Sequence, residues 1–265
     1  MIPKIIHYCW FGRNPLPAQA KKCISSWRKY CPDYQIIEWN EDNFDVNANL
    51  YTRQAYENRK WAFVTDVVRL HALAEYGGIY MDTDVEVIKP LDHFITEKGF
   101  SGFEDEEKIP TGIMAAEKDH PLIRKLLAYY EDRPFVVNGE PDLTTNVEII
   151  TGMLLKEGFV GNDRYQVIDD FAFYPHDVFC PKEIGSMKIH LTPNSHTIHH
   201  FAGSWMPEEK QKLKRYKLRK LKIENLFGIR AASIYESFYF ARKANGGDGL
   251  MPYFTRILRK RFSRK

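Results

Sequence analysis

Cysteine is scarce in this chain of 265 residues: Cys9, Cys23, Cys31 and Cys180 are the four, and no two form a C-x-x-C pair. That spacing excludes a disulfide-stapled framework and a zinc module built on paired cysteines. The four are expected to be small buried hydrophobes in a reducing compartment. No stretch approaches the roughly 18–20 continuous apolar residues of a membrane span, so no transmembrane helix is expected. The first residues lack the basic region and long apolar segment of a signal peptide; Lys4 already lies within a short strand pattern. Repeats and low-complexity tracts are absent. Glycine is also sparse in WFGRNPLP, residues 10–17, where a nucleotidyltransferase would carry a glycine-rich phosphate loop.

What is present describes one catalytic domain with an appendage. A hydrophobic content of 44% and a charged content of 28% suit a chain that buries a full core. The net charge of +3 hides an asymmetry. Residues 206–265 hold 17 basic and 5 acidic residues, leaving 21 and 30 for the rest, so +12 and −9 compose the total. Lys210, Lys212, Lys214, Arg215, Lys217, Arg219, Lys220 and Lys222 form one cluster, and Arg256, Arg259, Lys260, Arg261, Arg264 and Lys265 another. Leu226, Phe227, Ile229, Ile234, Tyr235 and Phe238 lie between them. Basic, aromatic-rich helices of this kind fit an anionic membrane surface, which predicts a peripheral protein on the cytoplasmic face of the plasma membrane. A solvated or oligomer-forming appendage is the alternative. An acidic catalytic part would repel a phosphodiester backbone, so no nucleic-acid partner is expected.

Alternating α and β patterns fill the first half. Strands are expected at 2–11 and 34–39, and helices at 17–30 and 50–59. Residues 101–104 and 112–117 read as short strands, 120–130 and 144–156 as helices, and 166–168 and 187–191 as strands. Alternation of this kind implies a largely parallel sheet covered by helices, with ligands at the carboxyl ends of the strands.

The densest chemistry lies in AFVTDVVRLHALAEYGGIYMDTDVEVI, residues 62–88. Ala62, Val67, Leu70, Leu73 and Ala74 form an apolar helical stripe, and Asp66 and Arg69 stand three apart near one face. Gly77-Gly78 ends the helix, because a sharp reversal requires positive φ. A strand from Ile79 to Ile88 follows. On a strand Asp82 and Asp84 point the same way, and two such carboxylates repel unless a cation sits beside them. A divalent metal carrying a phosphorylated ligand meets that need.

The run TDVVRLHALAEYGGIYMDTD resembles the signature of glycosyltransferase family 32, which includes capsular-polysaccharide transferases and is more distantly related to the glucosylating domains of large clostridial toxins. IPKIIHYCWFG, residues 2–12, and IHHFAGSW, residues 198–205, resemble its first strand and closing loop. The resemblance covers residues 2–205 and implies a GT-A fold, a Rossmann-like nucleotide-binding sheet. The implied domains are 1–205, catalytic, and 206–265, a basic helical tail.

It also implies a metal-dependent, retaining transfer from a nucleotide sugar, UDP-linked by preference, to a glycan or lipid-linked glycan. Oxygen ligands suit Mn2+ or Mg2+. Asp84 is the expected direct ligand, with Asp82 reaching the metal through water or touching ribose and sugar. Asp66 and Arg69 are expected at the sugar hydroxyls, beside Asp82 in the catalytic set and with Tyr80 in the donor-binding set. Trp10 would stack on the base, and His7 is read as structural. His199 and His200 would point to opposite sides of a strand, so one alone joins Asp84; His200 is the expected ligand. Ser204 and Trp205 would donate to the pyrophosphate. No general base is assigned, and Glu104, Asp105, Asn146 and Glu148 are candidates for the acceptor side. The alternatives are a nucleotide-sugar hydrolase or nucleotidyltransferase on a similar sheet, and a non-catalytic glycan-assembly protein at the membrane.

Overall fold

The structure is a computed structural model, which describes residues 1–109, 111–184, 186–203 and 208–244. The chain divides into two compact units, Met1–Trp205 and Met206–Lys265. In the first, β1 (Ile5–Cys9) leads to α1 (Ala18–Tyr30), β2 (Gln35–Trp39), α2 (Leu50–Glu57) and α3 (Trp61–Tyr76). Next come β3 (Gly78–Met81), β4 (Val85–Val87), β5 (Gly99–Gly102), β6 (Ile113–Ala116) and α4 (Pro121–Ala128). A small hairpin, β7 (Val136–Val137) and β8 (Glu140–Pro141), precedes α5 (Asn146–Leu155). The unit closes with β9 (Gln166–Ile168), β10 (Phe171–Tyr174), α6 (His176–Phe179) and β11 (Thr197–His199).

Seven strands form one sheet in the order β2-β1-β3-β6-β5-β10-β9. Five run in one direction, while β6 and β9 oppose their neighbours. The result is a mixed, mostly parallel α/β sheet, as the alternating pattern implies. Side-chain alternation divides its core into two layers. Cys9, Tyr80, Met114, Phe171 and Phe173 join one cluster; Ile6, Ile79, Met81, Ala115 and Ala172 join the other. Helix α3 is buried nearly all round, from Phe63 to Ala74, rather than along one stripe.

Two sequence expectations are corrected. Residues 187–191 form no strand; only an isolated bridge pairs Lys182 with Ile189. The strand expected from Ile79 to Ile88 is broken after Met81, and β4 leaves the main sheet to pair with β11. A turn intervenes, closed by the Val85 amide donating to the Asp82 carbonyl at 2.9 Å. Strand β10, inside the sheet, is an addition: FAFY is apolar on both faces, so it shows no alternation.

The reversal after α3 sets the position of everything downstream. Gly77 (φ 66°) and Gly78 (φ 109°) adopt left-handed backbone, and a Cβ on Gly78 would lie 2.7 Å from the Ile5 carbonyl oxygen. His7 locks this junction. The Trp39 indole N–H donates to His7 Nδ1 at 3.0 Å, so Nε2–H donates to the Gly77 carbonyl at 2.8 Å. Burial pushes the His7 imidazole down to about 4. The unfolded chain takes up a proton near pH 6.5 that the folded chain refuses until about 4, so stability falls as pH drops through that window, by about 3 kcal/mol at most. Urea unfolding of wild type and His7→Gln between pH 8 and 4.5 should show the gap between them closing as pH falls. Parallel curves would reject His7 as the acid-sensitive group.

The described residues of the second unit form a helical hairpin, α7 (Glu208–Phe227) and α8 (Ile229–Ala244), joined at Gly228. Tyr216 stacks on Tyr239 with centroids 3.9 Å apart, and its hydroxyl donates to Glu236 at 2.8 Å. Lys220 adds an ion pair to the same Glu236, at 2.8 Å. Among the described residues, no helix is long and apolar enough to cross a membrane.

Candidate active site

The site assembles where β1 and β3 end. Their parallel register pairs His7 with Tyr80, so Trp10 and Thr83 each stand three residues further along. Trp10 is half-buried, and its indole N–H donates to the Asn14 carbonyl. Beside it the D-x-D turn bends Asp82 and Asp84 together. Their convergence comes from the turn and not from strand alternation.

Below Asp82 lies a buried charge cluster. Arg69 is 4% exposed and Asp66 6%. The Arg69 Nη2 lies 3.2 Å from Asp66 Oδ1 and 3.4 Å from Asp82 Oδ1, bridging helix and turn. Its Nη1 donates to the Thr111 carbonyl at 2.5 Å, its Nε to the Thr65 carbonyl at 3.2 Å. The guanidinium also stacks over the Tyr80 ring, 4.5 Å from the centroid. Burial pushes the Asp66 carboxyl up to about 7; Arg69 opposes that shift and Asp82 adds to it. Tyr80 is 1% exposed, and its hydroxyl donates to Asp82 Oδ1 at 2.7 Å. Tyr80, expected at the donor, is thus placed beneath Asp82, which its hydroxyl orients.

Strand β11 brings the histidine. Antiparallel register sets His199 opposite Val85, next to Asp84 in sequence. His199 Nε2 lies 3.3 Å from Asp84 Oδ1. His200 faces the other way, its Nε2 2.8 Å from Glu86, which also pairs with Lys22 at 3.0 Å. The structure thus puts His199 beside the aspartates, whereas His200, the expected ligand, lies beside Glu86. Gly112 makes this approach possible, since a Cβ there would lie 2.8 Å from the His199 ring.

Asp84 is also tied to the loop after β11. The Ala202 amide donates to its Oδ2 at 2.6 Å, and the His200 amide to its backbone carbonyl at 3.0 Å. Burial alone would raise the Asp84 carboxyl, but His199 and the Ala202 amide overcome it and hold it well below the usual range. Asp84 in turn holds the His199 imidazole well above its ordinary value, against the effect of burial. Ser204 and Trp205 lie outside the described residues, as does the basic cluster from Arg256 to Lys265.

Asp82, Asp84 and His199 offer one ligand atom each within 4.8 Å of one another. Two carboxylate oxygens and an imidazole nitrogen fit a divalent cation of the Mn2+ or Mg2+ type.

The acceptor-side candidates separate. Glu148 caps α5 with Thr145, and Asp105 accepts from the amides of Glu107 and Lys108. Glu104 is half-buried; burial raises its carboxyl, and His199 draws it back. Asn146 is buried at the start of α5, accepts from the Thr111 hydroxyl at 2.9 Å, and its Nδ2 has no hydrogen-bond partner among the described residues. Thr111 was missed in the sequence. Its carbonyl holds Arg69 and its hydroxyl holds Asn146, a linkage that no local pattern announces.

Residues 17–101 match the family described as the glycosyltransferase sugar-binding region containing the DXD motif. Over 130 residues the chain is 28% identical to inositol phosphoceramide mannosyltransferase 3 of Schizosaccharomyces pombe, covering 48% of this chain and 36% of that protein. Over 131 residues it is 26% identical to mannosyl phosphorylinositol ceramide synthase SUR1 of Saccharomyces cerevisiae, covering 48% and 34%. The chain thus spans about a third of the length of these relatives. Among solved structures, a glycosyltransferase involved in the glycosylation of the major capsid of PBCV-1 aligns with a TM-score of 0.43 at 12% identity, covering 80% of this chain and 98% of that one. Asp66, Arg69, Asp82 and Asp84 all fall within the matched residues, so the candidate site lies in the segment that is similar to the D-x-D sugar-binding region of glycosyltransferases.

Proposed function

We propose that this chain transfers a hexose from a nucleotide-sugar donor, with retention at the anomeric carbon, to a glycan or lipid-linked glycan of the cell surface. The convergence of Asp82, Asp84 and His199 within 4.8 Å carries the reading. A divalent cation held there supplies Lewis-acid stabilisation of the charge on the departing diphosphate. Asp84 and His199 are the direct ligands in this proposal, and Asp82 is shared between the cation and the donor. Arg69 is a positioning residue, because its N–H groups are engaged by Thr65, Thr111, Asp66 and Asp82. The acceptor oxygen bonds to the anomeric carbon as the bond to the diphosphate breaks, and the acceptor proton passes to the leaving phosphate, so no protein base is required. Trp10 stacks on the base.

The named relatives act with mannose on inositol phosphoceramide, which favours mannose among the hexoses and a lipid-borne acceptor. The basic second unit would hold the enzyme at an anionic membrane, on its cytoplasmic face.

Calorimetric titration with UDP- and GDP-linked sugars, with and without Mn2+, tests the reading. One donor should bind only with metal. His199→Ala should weaken that binding about tenfold or more, and His200→Ala should leave it intact. If no nucleotide sugar binds under either condition, the transferase reading falls. Equal loss in both histidine variants would reject the ligand assignment alone.

A further inference from the structure

The hairpin of the second unit carries a feature that its own packing does not use. Tyr216 (5% exposed) and Ala232 (1%) lie between the helices, and the Tyr216–Glu236–Lys220 contacts tie them together. At the turn the apolar residues face outward instead: Leu226 is 63% exposed, Phe227 73% and Ile229 71%. They flank Gly228, whose φ of 82° makes the reversal and around which nothing lies within 4 Å of a Cβ position. Four consecutive residues, Leu-Phe-Gly-Ile, therefore form an apolar tip that is exposed among the described residues. Exposed cations surround it: Lys222 one turn before Leu226, Arg230 directly after Ile229, and Arg219 and Lys217 further back along α7.

An apolar tip behind a collar of cations matches one kind of partner. Large apolar side chains gain by leaving water for the boundary between headgroups and acyl chains, while lysine and arginine remain at the level of anionic phosphates. A nucleic acid would use the collar and leave the tip in water. We infer that the α7–α8 turn is an insertion wedge: Leu226, Phe227 and Ile229 enter the interfacial layer of an anionic bilayer, and Lys222 and Arg230 bind its phosphates. This deepens the proposed membrane placement and rests on it, but it names the turn, not the basic helix faces, as the part that enters the bilayer.

The test is flotation of the full chain with phosphatidylcholine vesicles, with and without phosphatidylglycerol. Wild type should float with the anionic vesicles only. The pair Phe227→Ser and Ile229→Ser should lower that partition about tenfold or more, and the pair Lys222→Glu and Arg230→Glu should do the same. Donor binding should persist in both, so failure of the wedge and failure of the transferase reading are distinguishable. A serine variant that floats like wild type overturns the wedge, as does a wild type that binds neither vesicle. A dimer abolished by the serine pair, without vesicle binding, would assign the tip to a second copy and overturn it too. Should the serine pair misfold, Phe227→Trp decides: quenching of its added fluorescence by lipids with brominated acyl chains is expected, and its absence rejects insertion.

Discussion

Asp84→Asn is expected to lower metal-dependent donor turnover by about a hundredfold to a thousandfold while the chain stays folded. Asparagine keeps an acceptor oxygen for the Ala202 amide, now 2.6 Å from Oδ2, so the loop after β11 retains its tether. What disappears is the anionic charge beside His199 and one of the two carboxylates able to hold the cation. Initial rates across a range of Mn2+ concentrations, beside thermal unfolding curves, separate the two effects. The variant should unfold near the wild-type temperature yet require far more metal. Unchanged rates at every metal concentration would remove Asp84 from the metal site.

The second large effect belongs to Arg69. Arg69→Met should destabilise the fold by about 3–5 kcal/mol, because removing one member of a buried ion cluster leaves the others uncompensated. Asp66, only 6% exposed, loses its counter-charge, and so does the more accessible Asp82. The sign of the pH dependence follows. Burial already pushes the Asp66 carboxyl up to about 7 with Arg69 present, and without the guanidinium it rises further. The orphaned carboxylate then keeps its proton above pH 7, where wild type releases it, so the penalty should shrink as pH falls towards about 7 and level off below it. Adding Asp66→Asn should recover part of the loss, which a double-mutant cycle in urea would measure. A penalty under about 1 kcal/mol, constant with pH, would show that Arg69 is not the counter-charge. Arg69→Lys is not expected to rescue, since one ammonium cannot reach the Thr65, Thr111, Asp66 and Asp82 oxygens together.

These effects trace to residues that stand close in sequence, and such residues are the ones the sequence discloses. Asp66 and Arg69 lie three apart on a helix, and Gly77-Gly78 forces that helix to reverse at once into β3. The nearness of this pair to the D-x-D follows from local geometry alone. His7 was legible as structural, whereas its partners Trp39 and Gly77 come from distant segments.

Alternation along a strand was the weaker guide. It placed Asp82 and Asp84 on one face of a continuous strand, but the chain turns there, and β4 pairs with β11 instead of extending the main sheet. It separated His199 from His200 correctly, since the two point apart. It had no means of saying which side faces Asp84. That choice is fixed by the antiparallel register of β11 against β4, a contact across more than a hundred residues, and by the missing side chain at Gly112. Strand β10 escaped notice for a related reason. FAFY is buried on both faces, so it carries no period, and its place beside β5 is decided by which strands remain unpaired.

The sequence by itself determined the class of chemistry, because the D-x-x-R helix, the glycine reversal and the D-x-D are neighbours whose spacing is set by backbone geometry. It also determined the charge division between the two units, which is a matter of composition. Only the tertiary structure decided which histidine joins the carboxylates, and that Tyr80 and Thr111 position charged groups from beneath. Those outcomes depend on strand register and close packing between segments far apart in the chain, which no local pattern encodes.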